Sequence, residues 1–165
     1  SSKTVGIIGL GAIGQRTAKL AQAFGCNVIA WNRTPKDVEG VTLVDKETLL
    51  KESDIITLHI ALNDETRNFI TAKEIDMMKP SAIIINAARG PIINTNDISE
   101  ALRNGRISGA ALDVFDTEPP LDKNNPLLNL PNTMLMPHIG FATEEAFELR
   151  LGIVVKNVEK FVSAC

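Results

Sequence analysis

Short, β-branched apolar runs alternate with longer amphipathic stretches along the whole chain, and this rhythm limits the possible folds more than any other feature. The runs are Val5–Ile8, Val28–Trp31, Ile55–His59, Ala82–Ile85, Ile107–Leu112 and Thr133–Met136. Between them the spacing predicts helices over Ile13–Phe24, Lys46–Lys51, Ala72–Met78, Asp97–Asn104 and Thr143–Phe161. Strands that are apolar on both faces need cover on both, and helices between them make neighbouring strands parallel. The expected class is therefore α/β: a doubly wound parallel sheet with six main strands in the order 3-2-1-4-5-6 and right-handed crossovers. Val41–Val44 is either a small extra strand or a turn.

With 165 residues the chain suits one domain with one core. Its 17 basic and 20 acidic residues leave no basic excess to hold a phosphate backbone, which argues against a nucleic-acid partner. Apolar runs are strand-length, so none reads as a membrane span. Cys26 and Cys165 make neither a disulfide framework nor a metal-ligand cluster, and no metal is expected; the setting expected is reducing and cytoplasmic. Ser1-Ser2-Lys3 runs straight into the first strand, which reads as a fragment or excised domain covering residues 1–165. The Pro-containing stretch Asp116–Pro126 reads as a surface crossing, since strand-like sequence resumes at Thr133.

Gly9-Leu10-Gly11-Ala12-Ile13-Gly14 is a G-x-G-x-x-G pattern placed directly between the first strand and the first helix, the context that a Rossmann dinucleotide turn requires. Gly9 permits the turn, Gly11 admits a pyrophosphate close to the backbone, and Gly14 lets helix and strand pack. The diphosphate then rests on free N–H groups at the positive helix end. The ribose reader should end the second strand, where Asn32, Arg33 and Thr34 replace the usual carboxylate. An amide, a guanidinium and a hydroxyl suit a 2′-phosphate, so the expected cofactor is NAD(P), with NADP favoured over NAD. A solvated loop cation is the plain alternative for Arg33.

Side chains of three chemistries, a guanidinium, carboxylates and an imidazole, follow three consecutive strands. Arg89 follows the fourth, Asp113 and Glu118 the fifth, and His138 the sixth. In the expected order those strand ends face the nicotinamide side of the crevice. Reducing a 2-oxo acid needs hydride on the carbonyl carbon and a proton on its oxygen. His138 can carry the proton, Arg89 can fork onto the substrate carboxylate, and Glu118 beside His138 would favour imidazolium. Asp113 is placed to accept from the cofactor carboxamide. His59 competes for the histidine role, but its strand lies on the adenosine side, where it lines the adenine pocket or is structural.

The glycine fingerprint, Asn86–Gly90, Asp113 to Pro120, and Pro137-His138 with Ala142-Thr143 resemble the D-isomer-specific 2-hydroxyacid dehydrogenases over nearly the whole chain. The resemblance implies Arg89, Glu118 and His138 as the catalytic group. It implies Ala12 and Ile13 at the diphosphate, and Asn32 and Arg33 at the ribose. Ala87, Ala88 and Arg89 would run along the nicotinamide, with Asp113 at the carboxamide and His138 and Gly140 beside it. A small 2-oxo or 2-hydroxy acid is the implied substrate, and a homodimer the implied state of the full-length protein. The chain departs from the family at Asn32, at Ala61 where a proline is common, and at Phe141, which could narrow the substrate pocket. The family's substrate domain is absent, so this chain alone should bind cofactor and turn over poorly. A dinucleotide-sensing, corepressor-like scaffold of the same superfamily is the alternative. A formate dehydrogenase would carry glutamine at Glu118.

Overall fold

The computed structural model describes residues 3–119 and 121–163. Ser1, Ser2, Pro120, Ala164 and Cys165 fall outside the described residues, and with them the pairing of Pro119 with Pro120 and one of the two cysteines.

The elements follow the expected alternation. They are β1 (Thr4–Ile8), α1 (Ala12–Ala23), β2 (Asn27–Trp31), β3 (Thr42–Leu43), α2 (Lys46–Glu52), β4 (Ile55–Leu58), α3 (Ala72–Ile75), β5 (Ile83–Asn86), α4 (Thr95–Arg103), β6 (Gly109–Leu112), β7 (Thr133–Leu135) and α5 (Glu144–Val162), with a 3-10 turn at Gly90–Ile92. All seven strands pair in parallel in the order β3-β2-β1-β4-β5-β6-β7. The doubly wound order holds with Val41–Val44 contributing the third strand. The count is seven instead of six, and Ile55–Leu58 is consequently the fourth strand, beside β1 and not beyond β2. Thr42–Leu43 is two residues long and exposed, so the apolar periodicity that marks the other strands never develops there.

Alternate residues of β1 go to opposite faces, as strand geometry requires. Ile8 joins Leu49, Leu50, Ile56, Ile75, Ile84, Ile98 and Leu102 on the face covered by α2, α3 and α4. Ile7 joins Leu10, Ala18, Val28 and Ala30 on the face covered by α1. Each such side chain, fully withdrawn from water, contributes about 1.5–3 kcal/mol.

On the α1 face the cover thins along one register row. Ala30, Ile7, Thr57, Ile85, Ala111 and Met134 are successive partners across the sheet. Ala30 and Ile7 are fully buried, Ile85 and Ala111 are half-buried, and Met134 is 65% exposed. The 19-residue helix α5 buries none of its residues, although Phe147, Leu151, Val154, Val158 and Phe161 are apolar. Among the described residues no helix is long and apolar enough to cross a membrane.

Candidate active site

β1 ends at the reversal of strand order, between β2 on one side and β4 on the other. Gly9 turns the chain there at φ +103°, a conformation closed to most side chains. A Cβ on Gly14 would run into the Gly9 carbonyl, so α1 can seat this close to β1 only with glycine at that position.

Helices α2, α4 and α5 are capped by the side chains of Asp45, Asn94 and Thr143, whereas α1 starts at Gly11 with no side-chain cap. Its first-turn N–H groups therefore have no partner from their own helix or from a cap. A Cβ added to Gly11 would meet nothing within 4 Å, so open space faces those donors. Uncapped donors beside free space fit a dinucleotide pyrophosphate, and Ala12 and Ile13 lie in the same first turn.

Asn32 at the end of β2 is engaged differently from the reading above. Its Oδ1 accepts from Leu10 N–H at 2.9 Å and its Nδ2 donates to the Thr34 carbonyl at 2.6 Å. The side chain ties the phosphate turn to the loop after β2 while still lining the pocket beside it. A pocket of about 310 Å³ opens next to it, lined by Gly9, Gly11, Trp31, Arg33, Thr34 and His59 together with Asn63, Glu65, Thr66 and Phe69. His59 thus lines the adenosine-side pocket. Its Nε2 is 3.1 Å from Thr57 Oγ1, and burial pushes its imidazole below the ordinary histidine value, which keeps it neutral. The Trp31 and Phe69 rings meet at a tilt of 41° with centroids 5.1 Å apart, and the Lys46 ammonium is 4.0 Å from the Phe69 ring centroid.

Across the crevice β5, β6 and β7 are adjacent, so the residues that follow them share one rim. Phe115 N–H donates to Glu118 Oε1, and Glu118 Oε2 meets His138 Nδ1. The ring and the carboxylate are 36% and 24% exposed, so the pair is reachable yet partly sheltered. They line a cavity of about 580 Å³ with Phe115, Leu135, Met136 and Phe141. Phe141 presents an edge-on ring 5.7 Å from the imidazole.

His138 itself stands at φ 56°, in the left-handed region that a residue with a Cβ avoids. Asp113 holds it there: its Oδ1 accepts from Ile139 N–H at 2.8 Å and its Oδ2 from Gly140 N–H at 2.7 Å. The two amides that follow the histidine are thereby fixed to the end of β6. Sequence reading assigned Asp113 only to the carboxamide and missed this clamp, because nothing local announces a contact across 26 residues.

Arg89 sits on the same rim but outside that cavity, with Nη1 folded back onto the Ala88 carbonyl at 2.6 Å. Buried Asn86 shapes its loop, accepting from Ala88 N–H at 3.0 Å and donating to the Arg89 carbonyl at 2.9 Å. A Cβ on Gly90 would strike the Phe115 backbone, so the Arg89 loop presses directly against the segment that carries Glu118. Ala87 is exposed and Ala88 half-buried along this edge. Among the described residues no group of three or more His, Cys, Asp or Glu side chains could hold a metal ion.

The fold and the glycine turn define a Rossmann-type dinucleotide-binding domain. Residues 1–140 match the family described as D-isomer specific 2-hydroxyacid dehydrogenase, NAD binding domain, and the chain belongs to that family. It is 48% identical over 163 residues to a glyoxylate reductase of Thermococcus litoralis, covering 96% of this chain and 49% of the relative. It is 43% identical over 166 residues to a glycerate dehydrogenase of Methylorubrum extorquens, covering 99% and 51%. The NAD-complexed D-isomer specific 2-hydroxyacid dehydrogenase of Lactobacillus delbrueckii ssp. bulgaricus superposes with a TM-score of 0.89 at 33% identity, over 98% of this chain and 53% of that one. The chain spans about half the length of the curated relatives it matches.

Proposed function

We propose that this chain is the cofactor-holding half of an oxidoreductase that moves hydride between NAD(P)H and a small 2-oxo acid, of the size of glyoxylate or hydroxypyruvate. The contact between Glu118 and His138 Nδ1 carries the reading. A carboxylate on Nδ1 orients the ring and aims Nε2 outward, where it donates a proton when the ring carries two and accepts one when it carries one, the arrangement that acid/base catalysis requires. A bound nicotinamide supplies the hydride. His138 gives its proton to the carbonyl oxygen in reduction and recovers it in oxidation. Arg89, released from the Ala88 carbonyl, binds the substrate carboxylate through its guanidinium fork. Phe141 beside the imidazole restricts the space to small acids.

At the other end Arg33 takes the 2′-phosphate, and NADP(H) is preferred to NAD(H). Support comes from its place on the adenosine-side pocket, where Asn32 brings no charge. The exposed apolar face of α5 and the uncovered row ending at Met134 support a further, substrate-binding domain in the complete protein. The free Cys26 thiol suits a reducing, cytoplasmic setting.

The test is steady-state reduction of glyoxylate, hydroxypyruvate and pyruvate by the complete protein with either reduced cofactor. His138→Gln should lower kcat about 10²–10⁴-fold and leave dinucleotide affinity within about twofold. Absence of turnover in the wild type, with a dinucleotide-dependent change in protein partner binding, would replace the enzyme by a sensing scaffold.

A further inference from the structure

Arg33 is not alone at the adenosine-side pocket. Its Nη1 lies 3.0 Å from Glu65 Oε2, with 75% and 74% of the two side chains exposed. These are the two formally charged residues among those lining the pocket; His59, the remaining titratable group there, is kept neutral by burial. Glu65 is held by its own loop. Asn63 Oδ1 accepts from both Glu65 N–H and Thr66 N–H at 3.0 Å, and Thr66 Oγ1 donates to the Ala61 carbonyl at 2.7 Å. The facing loop is held by Asn32, whose side chain bridges Leu10 N–H and the Thr34 carbonyl. Two pinned loops, 32 residues apart in sequence, thus bring one cation and one anion together at this pocket.

We infer that Glu65 is a specificity-determining residue that competes with the cofactor 2′-phosphate for Arg33 and so sets how strongly NADP(H) is preferred to NAD(H). The inference rests on the proposed role of Arg33 and adds to it an internal competitor. An exposed ion pair shifts an equilibrium by no more than about fivefold. A phosphate bearing about two negative charges makes a charge-assisted, forked contact that is stronger. The phosphate therefore wins Arg33, but Glu65 weakens the gain twice: it must surrender its partner, and its own charge then faces the incoming one. A 2′-hydroxyl takes nothing from Glu65 and pays neither penalty.

Trp31, the single tryptophan, lines the same pocket and reports binding by its fluorescence without any turnover. NADPH and NADH are titrated into wild type, Glu65→Gln, Arg33→Ala and the double variant of the 165-residue chain. Glu65→Gln should tighten NADPH about threefold to tenfold, leave NADH within about twofold, and have a smaller effect in the Arg33→Ala background, where only the repulsion between Glu65 and the phosphate is left to remove. Equal tightening of both cofactors, or of neither, overturns the inference. If Arg33→Ala weakens NADPH while Glu65→Gln changes nothing, the role of Arg33 stands and only the competitor falls. If Arg33→Ala leaves NADPH unchanged, the phosphate contact falls and the competitor with it. The same variants titrated with 2′,5′-ADP, read by the same signal, should reproduce the NADPH pattern, because the discriminating group is on the adenosine side.

Discussion

Around β1 and β2 the sheet is sealed on both faces, and the glycine turn is seated against buried Ile7, Leu10 and Ala30. Around β6 and β7 one face is open, Met134 and Met136 are 65% and 40% exposed, and His138 is placed by its contact with Glu118 and by the hydrogen bonds of the following amides, Ile139 and Gly140, to Asp113. The first region is rigid because it is packed; the second is ordered by polar contacts at its surface. This division matches the two tasks proposed for the chain. Pyrophosphate binding asks for fixed backbone donors, which packing supplies. Proton transfer asks for a side chain that is aimed yet reachable, which a clamp can provide without burial.

The contrast can be broken most severely in the packed region. Ile56→Ala removes a fully buried side chain from β4 and should destabilise the chain by about 2–5 kcal/mol in urea unfolding. A loss under 1 kcal/mol would show that the sheet centre is not the packed half. Asp113→Asn attacks the clamp. An amide can accept from only one of the Ile139 and Gly140 N–H groups, so the left-handed His138 loses half its support. In the complete enzyme kcat should drop about 10–100-fold with the urea midpoint nearly unchanged, since misplaced groups lose rate before they lose fold. Unchanged kcat would remove Asp113 from positioning.

A smaller effect tests how the sheet begins. Asp54 accepts from Thr4 N–H at 2.9 Å and sits 3.2 Å from the Lys79 ammonium and 3.8 Å from that of Lys3. The Thr4 bond leads in holding its carboxyl below the usual range; burial opposes it, and the two lysines add to it. Because the folded value is the lower one, this contribution is full above the unfolded value near pH 4 and vanishes as pH falls through the folded one. Asp54→Asn should lose about 1–2 kcal/mol at pH 7, and the gap from wild type should close in acid. A gap that persists at the lowest pH would assign the loss to packing. Least of all, Met134→Ser on the open face should change stability by no more than about 0.5 kcal/mol.

Legibility in sequence followed the same division. The glycine turn was readable because Gly9, Gly11 and Gly14 act within one turn, and the doubly wound pattern followed from the apolar rhythm, although it set the Ile55 strand beyond β2 and not beside β1. β3 stayed open between strand and turn because Thr42–Leu43 buries nothing that could decide it. The meeting of Glu118 with His138 could be anticipated from their places after adjacent strands. The engagement of Asn32 with Leu10 N–H could not, since a side chain at a strand end carries no sign of which loop it will bind. Arg89 was placed on the right rim, but its fold onto Ala88 is set by local geometry. Glu65 had no signal at all: its partner is remote, and a lone glutamate in a polar loop reads as solvated.

The sheet borders have a further consequence. Its outermost strands, β3 and β7, are two and three residues long. Aggregation by strand addition needs a long ladder of free amides and carbonyls, and stubs of this length offer almost none. The open apolar surface on the sheet and on α5 therefore cannot seed fibrils edge to edge. Self-association of the chain would instead proceed face to face, through side chains.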